Sequence, residues 1–402
     1  MPKKIITDPK KIDHVLSRGV EMIYPNREAL ETVLQSGKRL RIYYGIDPTG
    51  KLHVGHGVEL LKLRQLQELG HEVIVLIGDF TGMIGDPTDK AAVRKQLTRK
   101  EVLANAKNYK KLIGKILDLK QTSFKTNSTW LSKLSIAELV SIMSNFTAQQ
   151  TLARGMFKTR LAAGQDLFLH EFLYPLMQAY DSVAMDVDME IGGNDQMFNM
   201  MAGRTLLRKM KNKEKFVLTM KLLVDPTGKK MGKTEGNMVN LDDAPNDMYG
   251  KVMSWPDTIM MTAFEILTDI SDVVLNVVRE KLAQESVNPR DIKMQLAHEI
   301  VRMYHGEKAA IKAQEEYKQV FQQGNKPTDI ATIKLGVSEI GVLELFVSTK
   351  LATSNSEARR LIKENALKID DKVVSDEQQR ITIPETGLLL QRGKKMFVRV
   401  KS

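Results

Sequence analysis

The apolar positions in the first quarter of the chain change their spacing twice. Residues 41–44 have the pattern of a short strand, apolar residues from 58 to 69 recur at helical spacing, and 73–77 form an unbroken apolar run. Gly70 ends the helical pattern, and an apolar run bounded by charge and glycine is typical of a strand buried on both faces. A βαβ unit is therefore predicted, and a nucleotide-binding α/β domain with it.

The remaining pattern adds a long insertion and a helical second half. Residues 90–144 are basic, amphipathic and helical in pattern, and we expect them to be inserted between the two halves of the sheet. After residue 241 the pattern becomes all-helical, and the polar tract 322–329 predicts a linker. Further elements are predicted as helices at 167–178, 199–211, 273–282 and 292–304, and as a strand at 185–191.

We therefore predict an α/β protein with three parts. A Rossmann-like parallel-sheet catalytic domain comes first, an all-helical domain follows, and a small α+β module ends the chain. The predicted bounds are 1–240 for the first domain with its helical N-terminal extension and its insertion at about 90–145, 241–325 for the helical domain, 326–341 for the linker and 342–402 for the last module.

Composition narrows the class of protein. Cysteine is absent, which excludes disulfides, thiolate catalysis and Cys-ligated zinc. No apolar run approaches the roughly 20 residues of a membrane helix, and the N-terminus is polar, so a cytoplasmic protein without membrane contact is expected. The net charge of +11 is concentrated in 88–125, 203–233 and 350–402. Three basic regions favour a polyanionic partner, although charge alone does not distinguish RNA, DNA and lipid.

A turn with two histidines follows the first predicted strand. His53 and His56 lie at the electropositive start of the predicted helix, Thr49 adds a hydroxyl, and Gly55 leaves space beside the backbone. A His-x-x-His metal site is disfavoured, because no third histidine or acidic cluster is nearby. For an isolated pair, two structural histidines would be the better interpretation. The surrounding residues 47–49 and Gly55 favour a triphosphate site.

A second phosphate-binding pattern occurs in a polar loop far downstream. Lys230, Lys233 and Thr234 surround a Met-Gly pair. A Walker A loop is rejected because the glycine that it requires at position 227 is a threonine. A lysine-rich turn would be the ordinary interpretation without the histidines, whereas together the two segments suit a pyrophosphate whose charge grows in the transition state.

A third pattern concerns the substrate. Tyr174, Gln178 and Asp181 share one helical face by their spacing, and a buried acid and amide need partners. The alternative is a polar helix edge that faces solvent. Apolar residues interleave with this face, and residues 191–196 follow at a strand end, where α/β proteins bind ligands.

The last sixty residues have a pattern of their own. The segment 354–357 predicts a capping box, in which the Ser354 hydroxyl accepts from the Glu357 amide and the Glu357 carboxylate reaches back. A helix at 358–365 is expected to expose Arg359 and Arg360 and to bury Leu361 and Ile362, with short strands around 368–374, 380–383 and 396–400. Taken alone, this pattern could be a capped surface helix with a solvated basic face.

These motifs resemble those of one enzyme family. Residues 43–56 and 229–234 resemble the HIGH and KMSKS signatures of class I aminoacyl-tRNA synthetases, with Gly232 where the second signature usually has serine. Residues 174–181 and 191–196 resemble the motifs of tyrosyl-tRNA synthetases of the bacterial type, and the last module resembles an S4-type RNA-binding domain. The resemblance covers essentially the whole chain, and the helical region after residue 241 contributes least.

The resemblance implies a role for each matching residue. The tyrosine substrate would contact Tyr43, Asp86, Tyr174, Gln178, Asp181 and Gln196, with the phenol on Tyr43 and Asp181 and the ammonium on Tyr174, Gln178 and Asp86. ATP would contact Gly45, Asp47, Gly55, Gly193, Asp195, Lys230 and Lys233. The residues that serve the phosphates during catalysis would be Thr49, His53, His56, Lys230, Lys233 and Thr234. RNA would contact Ser354, Arg359, Arg360 and Lys363.

The resemblance also implies the reaction and its partners. Tyrosine and ATP would form tyrosyl-adenylate, and tRNA(Tyr) would accept the tyrosyl group; Mg²⁺ would enter with ATP, without a protein-bound metal or organic cofactor, and the enzyme would be a homodimer. Rival interpretations are a tryptophanyl-tRNA synthetase, a small nucleotidyltransferase with the same histidine signature, and a non-catalytic RNA-binding relative. The pairing of Tyr43 with Asp181 and the S4-like module argue against the first, and the module argues against the second. Intact His53, His56 and lysines argue against the third.

Overall fold

A computed structural model describes residues 4–86, 96–224, 238–284, 286–322, 330, 332–393 and 396–402. The chain divides into two compact units, residues 1–311 and 312–402. Among the described residues, no helix has both the length and the apolar character needed to cross a membrane.

A six-stranded sheet forms the centre of the first unit. Its strands are β1 (Val20–Tyr24), β2 (Arg41–Ile46), β3 (Glu72–Ile77), β4 (Thr122–Thr126), β5 (Met189–Gly193) and β6 (Phe216–Met220). They lie in the order β1-β6-β5-β2-β3-β4, and all neighbours are parallel except β1, which pairs with β6 in the antiparallel sense. The chain order therefore reverses direction between β2 and β5. In doubly wound sheets this switch point is where ligands bind.

Helices cover the sheet and form the remainder of the unit. Those that precede β5 are α1 (Pro9–Ser17), α2 (Arg27–Gln35), α3 (Val54–Glu68), α4 (Thr81–Ile84), α5 (Arg99–Ala106), α6 (Tyr109–Ile113), α7 (Ser128–Leu131), α8 (Ile136–Met143), α9 (Ala148–Leu152), α10 (Gly155–Ala162) and α11 (Leu169–Met185). After β5 come α12 (Met197–Lys211), α13 (Pro245–Met253), α14 (Met260–Leu267), α15 (Asp272–Leu282) and α16 (Pro289–His305). The next helix, α17 (Glu307–Gln322), begins in this unit and belongs mostly to the second. The predicted helical character beyond residue 241 is confirmed.

The predicted βαβ unit is confirmed as β2, α3 and β3. Residues 73–77 are all buried, as expected for a strand covered on both faces, and Gly70 ends the helical segment with a φ of 96°. The helix begins at Val54, one turn before the apolar residues that start at Val58, because the His53 side chain caps it. A polar first turn thus belongs to the helix even though the apolar period does not include it.

The prediction for 90–144 is wrong at β4. Residues 122–126 form the edge strand of the main sheet and pair with β3 over their whole length, whereas the flanking described segments are helical. The sequence Thr-Ser-Phe-Lys-Thr has β-branched and aromatic residues that fit a half-covered edge strand. Its charged surroundings concealed this short strand within a basic, mostly helical segment.

The predicted strand at 185–191 is shifted in the structure. Helix α11 continues to Met185 with Pro175 in its interior and ends at Asp186 in the left-handed conformation, with φ 50°. The strand then begins at Met189. Because residues 185–191 alternate between apolar and acidic side chains, as a strand does, periodicity alone did not separate the end of the helix from the start of the strand.

The second unit is a small α+β structure. Its elements are β7 (Thr332–Lys334), β8 (Glu339–Gly341), α18 (Val342–Ser348), α19 (Asn355–Lys363), β9 (Leu367–Ile369), β10 (Lys372–Val373), β11 (Arg380–Thr382), β12 (Leu388–Arg392) and β13 (Met396–Lys401). The strands form a sheet in the order β10-β9-β12-β13-β7 and a second pair, β11 with β8. Leu361 and Ile362 belong to its apolar core, as predicted. The central strand β12 had not been predicted.

Candidate active site

The carboxyl ends of β2 and β5 lie side by side at the switch point of the sheet, and the space above them is referred to as the cleft. Gly45 lies in β2, one of the central strands, yet it is solvent-exposed, and the nearest atom to an added Cβ would be Tyr43 Cε2 at 3.9 Å. Central strands of a parallel sheet are normally covered on both faces. The exposed glycine therefore marks the place where a ligand can approach the backbone.

The two histidines are held in a defined orientation at the start of α3. His53 Nδ1 accepts from the Gly55 amide at 3.1 Å, and His56 Nδ1 accepts from the His53 amide at 3.2 Å. The ring centroids are 4.0 Å apart. Because Nδ1 is the acceptor in each ring, the proton of each neutral imidazole is placed on Nε2. Both side chains can thus present an N–H donor at a helix N-terminus, where anions bind.

The structure gives a packing reason for glycine at position 55. An added Cβ at this position would lie 2.8 Å from His53 Cε1 and Nδ1. The missing side chain therefore makes room for the histidine ring that caps the helix. A larger residue would displace His53 from its cap.

The segment that follows the lysine loop lies against the histidine turn. The Val54 amide donates to the Val239 carbonyl at 3.0 Å, and the Leu241 amide donates to the Leu52 carbonyl at 2.9 Å. These bonds join two segments that are nearly two hundred residues apart in the chain. Lys230, Lys233 and Thr234 lie outside the described residues.

Asp47 follows β2 and joins three elements. Its carboxylate accepts from Thr81 Oγ1 at 2.7 Å and from the Tyr174 hydroxyl at 2.8 Å. Burial raises the pKa of Asp47 to about 7, although both hydrogen bonds oppose that shift. A Cβ at Gly78 would lie 1.9 Å from Asp47 Oδ1, so a glycine is required there. A predicted ATP residue and a predicted tyrosine residue are therefore bonded to each other.

Asp181 is almost fully buried and is held by two donors. Trp130 Nε1 donates to Oδ1 at 2.7 Å, and Asn127 Nδ2 donates to Oδ2 at 3.2 Å. Burial raises the pKa of Asp181 well above its ordinary value, against the effect of these bonds. Each carboxylate oxygen has a second lone pair, so the group can accept another hydrogen bond from a ligand.

Tyr43 is fully buried beside this carboxylate. Its hydroxyl lies 3.1 Å from Ser182 Oγ, and burial, with the nearby Glu190 and Asp181 carboxylates, raises the pKa of Tyr43 well above its ordinary value. The Asp181 carboxylate is thus close enough to Tyr43 to raise its pKa, while each of the two residues has other hydrogen-bond partners in the described structure. Tyr43 is neutral and can donate its proton.

Gln178 and Asp86 each form a hydrogen bond with a charged residue that was not predicted from the sequence, Glu190 and Arg154 respectively. Gln178 Nε2 donates to Glu190 Oε1 at 3.0 Å. Asp86 accepts from Gln196 Nε2 at 2.7 Å and from Arg154 Nη2 at 3.2 Å. The guanidinium of Arg154 is buried and lies near the Phe157 and Phe198 rings.

The turn after β5 presents Asp195. An added Cβ at Gly193 would lie 2.5 Å from Asp195 Oδ1, so the glycine leaves space for this carboxylate. Gln196 is oriented in turn by the buried Asn199, whose Nδ2 donates to its Oε1 at 2.9 Å. On the histidine side of the cleft, the Thr49 amide donates to the Asp47 carbonyl at 2.8 Å and tightens that turn.

In the second unit, the predicted capping box is half wrong. Ser354 Oγ accepts from the Glu357 amide at 3.2 Å, as predicted, but the Glu357 carboxylate accepts from the Thr353 amide at 2.7 Å instead of from Ser354. Arg392 Nη2 donates to the same carboxylate at 2.8 Å, and this bond helps to hold the Glu357 side chain in place. Arg359, Arg360 and Lys363 are exposed on α19.

Several residues of the candidate site were not predicted from the sequence, because the family resemblance assigned them no role. Glu190 left one signal, since a carboxylate within the apolar run Met-Glu-Ile-Gly-Gly needs a buried partner. Its partner, Lys215, stands among other lysines and gives no local signal. The other missed residues are Thr81, Asn127, Trp130, Arg154, Ser182 and Asn199.

Two family models match the chain. The model of class I tRNA synthetases (W and Y) matches residues 35–322, and the model of the tyrosine–tRNA ligase SYY-like C-terminal domain matches residues 321–400. A tyrosine–tRNA ligase of Moorella thermoacetica is 44% identical over 96% of this chain and 94% of its own length. One of Thermotoga maritima is 39% identical over 98% of both chains.

Solved structures show the same fold. A C-terminally truncated mitochondrial tyrosyl-tRNA synthetase of Coccidioides posadasii aligns with a TM-score of 0.62 and 25% identity, over 76% of this chain and 91% of that one. The tyrosyl-tRNA synthetase of Archaeoglobus fulgidus complexed with L-tyrosine aligns with a TM-score of 0.61 and 22% identity, over 76% of this chain and 100% of that one. With the two family models and the near full-length relatives, the chain belongs to the tyrosine–tRNA ligase family of class I aminoacyl-tRNA synthetases.

Proposed function

We propose that the cleft above β2 and β5 is the active site in which this tyrosine–tRNA ligase carries out both steps of its reaction. In the reaction of the family, the tyrosine carboxylate attacks the α-phosphate of ATP and gives tyrosyl-adenylate and diphosphate. The tyrosyl group then passes to the 3'-terminal adenosine of tRNA(Tyr). The substrates are thus tyrosine, ATP and tRNA(Tyr).

The phosphates bind where the histidine turn meets the end of the lysine loop. The backbone bonds between residues 52–54 and 239–241 are the observation that carries this proposal, because they bring the flank of the loop to the His53 side of the cleft. His53 and His56 donate from Nε2 to the phosphates. The other residues that bind the phosphates are Thr49, Thr234, Lys230 and Lys233. Donors fixed before the reaction stabilise the charge that grows on the leaving diphosphate.

The tyrosine substrate lies over the switch point. Asp181 accepts the proton of the substrate phenol and Tyr43 donates to the phenol oxygen, which the burial of both residues supports. The remaining residues, which hold the polar end of the substrate, are Asp86, Tyr174, Gln178 and Gln196. Two groups that pair with a hydroxyl are left unpaired when phenylalanine binds, so the site rejects phenylalanine.

ATP occupies the neighbouring part of the cleft. Asp195 binds the ribose, which the space left by Gly193 supports, and Gly45 lets the nucleotide approach the backbone. Asp47 lies between nucleotide and tyrosine, in keeping with its bond to Tyr174. Mg²⁺ enters with ATP, whose phosphate oxygens are the hard ligands that this ion prefers, and it neutralises part of their charge.

The assembly is a homodimer located in the cytoplasm. An apolar stripe of Ile136, Val140 and Met143 lies exposed on α8 at helical spacing, and Leu161 and Leu169 are exposed on the nearby chain segment. We refer to these five residues as the apolar stripe; a second copy of the chain would cover it.

In the C-terminal unit, Ser354, Arg359, Arg360 and Lys363 contact tRNA.

Amino-acid-dependent exchange between ATP and pyrophosphate tests the function. Exchange should require tyrosine and should not be supported by tryptophan or phenylalanine at equal concentration. Exchange with tryptophan would favour the tryptophan enzyme. Absence of exchange with all three amino acids would favour the non-catalytic RNA-binding alternative.

The substitution Asp181→Ala tests the phenol site. Loss of an ionisable hydrogen-bond partner should lower the preference for tyrosine over phenylalanine by roughly 10- to 100-fold in kcat/KM for exchange. The KM for ATP should change little, because Asp181 contacts Asn127 and Trp130 rather than the phosphate side of the cleft. A variant with undiminished preference would contradict the assigned role.

A further inference from the structure

One buried cation lies directly behind the proposed tyrosine site. Lys215 has no exposed surface, and its Nζ donates to Ser182 Oγ at 2.9 Å and forms an ion pair with Glu190. Glu190 is 2% exposed. Burying both charges has a large desolvation cost, which a good geometry and additional hydrogen bonds must offset. Hydrogen bonds from Gln178 and to Ser182 supply them here.

The ion pair connects both parts of the proposed tyrosine site. On one side Lys215 reaches Tyr43 through Ser182, whose Oγ is 3.1 Å from the Tyr43 hydroxyl. On the other side Glu190 Oε1 accepts from Gln178 Nε2 at 3.0 Å. The network runs from the residue proposed for the phenol to the residue proposed for the ammonium group.

The glycine at position 203 leaves space for the ammonium group of Lys215. An added Cβ at Gly203 in α12 would lie 2.5 Å from Lys215 Nζ and 2.8 Å from Ser182 Oγ. Glycine in a helix interior is destabilising relative to alanine, because it loses more backbone freedom on folding. The same Nζ lies 5.9 Å from the centre of the Tyr43 ring. Helix α12 thus accommodates the cation at a position where most helices have a side chain.

We propose that the Lys215–Glu190 ion pair is a positioning element for tyrosine selection, which sets the hydroxyl direction of Tyr43 through Ser182 and holds the Gln178 amide. The proposal rests on the function proposed above. Because Ser182 accepts a hydrogen bond from the ammonium group, its own hydrogen is turned to another acceptor, and the Tyr43 oxygen is within reach. Tyr43 then keeps its own proton, for which the Glu190 carboxylate and the phenol of the substrate are the available acceptors. Lys215 and Glu190 are positioning residues and touch no reacting atom.

The test is the double variant Lys215→Met/Glu190→Gln, which removes both charges without leaving one of them unpaired. We expect roughly a tenfold rise in the KM for tyrosine and a roughly tenfold fall in the preference for tyrosine over phenylalanine, as for the loss of one or two hydrogen bonds. The KM for ATP and the Tm should stay close to those of the wild type. Pyrophosphate exchange measures the kinetic constants.

A second variant, Ser182→Ala, removes the hydroxyl relay with little change in volume. It should lower the preference for tyrosine by itself, and adding the double substitution to it should reduce that preference by less than twofold further, because both act on Tyr43 through one hydroxyl. If the double variant does not fold, Ser182→Ala decides the question. Lys213→Met, which removes a lysine bonded to Asp186 and Asp188, is the matched control and should resemble the wild type.

Three results would overturn the proposal. They are an unchanged preference in the folded double variant, an unchanged preference in Ser182→Ala, and an equal loss of kcat/KM for ATP and for tyrosine, which would indicate general structural damage. Absence of tyrosine-dependent exchange in the wild type would instead refute the proposed function itself. The two failures are therefore distinguishable.

Discussion

Asp47 stands where the tyrosine and nucleotide parts of the proposed site meet. Its carboxylate bonds to Thr81 on one side and to Tyr174 on the other, and its pKa of about 7 is set by burial against these two bonds. Near neutral pH, a small change in surroundings will therefore change the charge at this position.

The substitution Tyr174→Phe should make this titration visible. The Tyr174 hydrogen bond favours the charged carboxylate, so its loss should raise the pKa of Asp47 above 7. Where the ionised form is needed, kcat/KM for ATP falls as the pH drops through that pKa, and the acidic limb of the profile should move to higher pH in the variant. Tyr180→Phe, on the same helix but packed against a separate apolar cluster, is the control. An unshifted limb in Tyr174→Phe would refute the role of this bond.

At the scale of elements, a buried lysine ties the N-terminal helix to the helix of the histidine turn. Lys62 of α3 is 1% exposed, and its Nζ donates to the Val15 carbonyl of α1 at 2.6 Å and to Gln65 Oε1 at 2.7 Å. Burial, with the charge of Arg18, lowers the pKa of Lys62 to about 7, whereas Asp272 and Glu265 oppose the shift.

Stability should therefore depend on pH through Lys62. Between pH 7 and the ordinary lysine pKa of 10.5 the unfolded chain binds this proton and the folded chain does not, so the free energy of unfolding should rise with pH by about 1.4 kcal/mol per unit from this group. Lys62→Met should remove that rise, as measured by urea unfolding at pH 7.5 and 9.0. Lys10→Met, at an exposed position of α1, should keep it. An identical pH dependence in Lys62→Met and the wild type would contradict the assignment.

How far the elements could be predicted depended on whether a local signal existed. The βαβ unit follows from apolar period and Gly70, and the switch point follows from the fold class. The strand β4 was missed because four half-buried residues and one exposed residue in a basic segment have no distinct period. Family motifs located Tyr43 and Asp181, but not Lys215, whose importance arises from contacts with Glu190 and Ser182 across three elements. Contacts between residues that are distant in the chain leave no regular spacing in the sequence, so they could not be predicted from it.

At the scale of the whole molecule, the apolar stripe predicts the oligomeric state. Ile136→Asp/Leu169→Asp places charges at positions that are 82% and 84% exposed, so the folded monomer should tolerate them while a dimer interface should not. Light scattering should give twice the 45.4 kDa chain mass for the wild type and the single mass for the variant. Val273→Asp, at a 74% exposed position of α15, should leave the dimer intact. A monomeric wild type would refute the proposed assembly.

The C-terminal unit should affect the second step alone. Arg359→Ala/Arg360→Ala should weaken aminoacylation of tRNA and lower its salt dependence by roughly one unit of slope for each lost phosphate contact, without changing pyrophosphate exchange. Arg380→Ala, which removes an exposed arginine paired with Glu339, is the control. A chain that ends at Gln322, before the first strand of the C-terminal unit, should lose more aminoacylation than the double variant and should still catalyse pyrophosphate exchange. Equal losses in exchange and aminoacylation would contradict it.

Gly203 has a consequence for anyone who wishes to make this enzyme more heat-resistant. Replacing a helical glycine by alanine is a common stabilising substitution, with a typical gain of about 0.4–1 kcal/mol. Here the new methyl group would lie 2.5 Å from Lys215 Nζ and would push the ammonium group aside. Gly203→Ala should therefore lower the Tm, because the displaced ammonium group would leave the buried Glu190 carboxylate without its partner. The weak point in helix α12 is better left as it is.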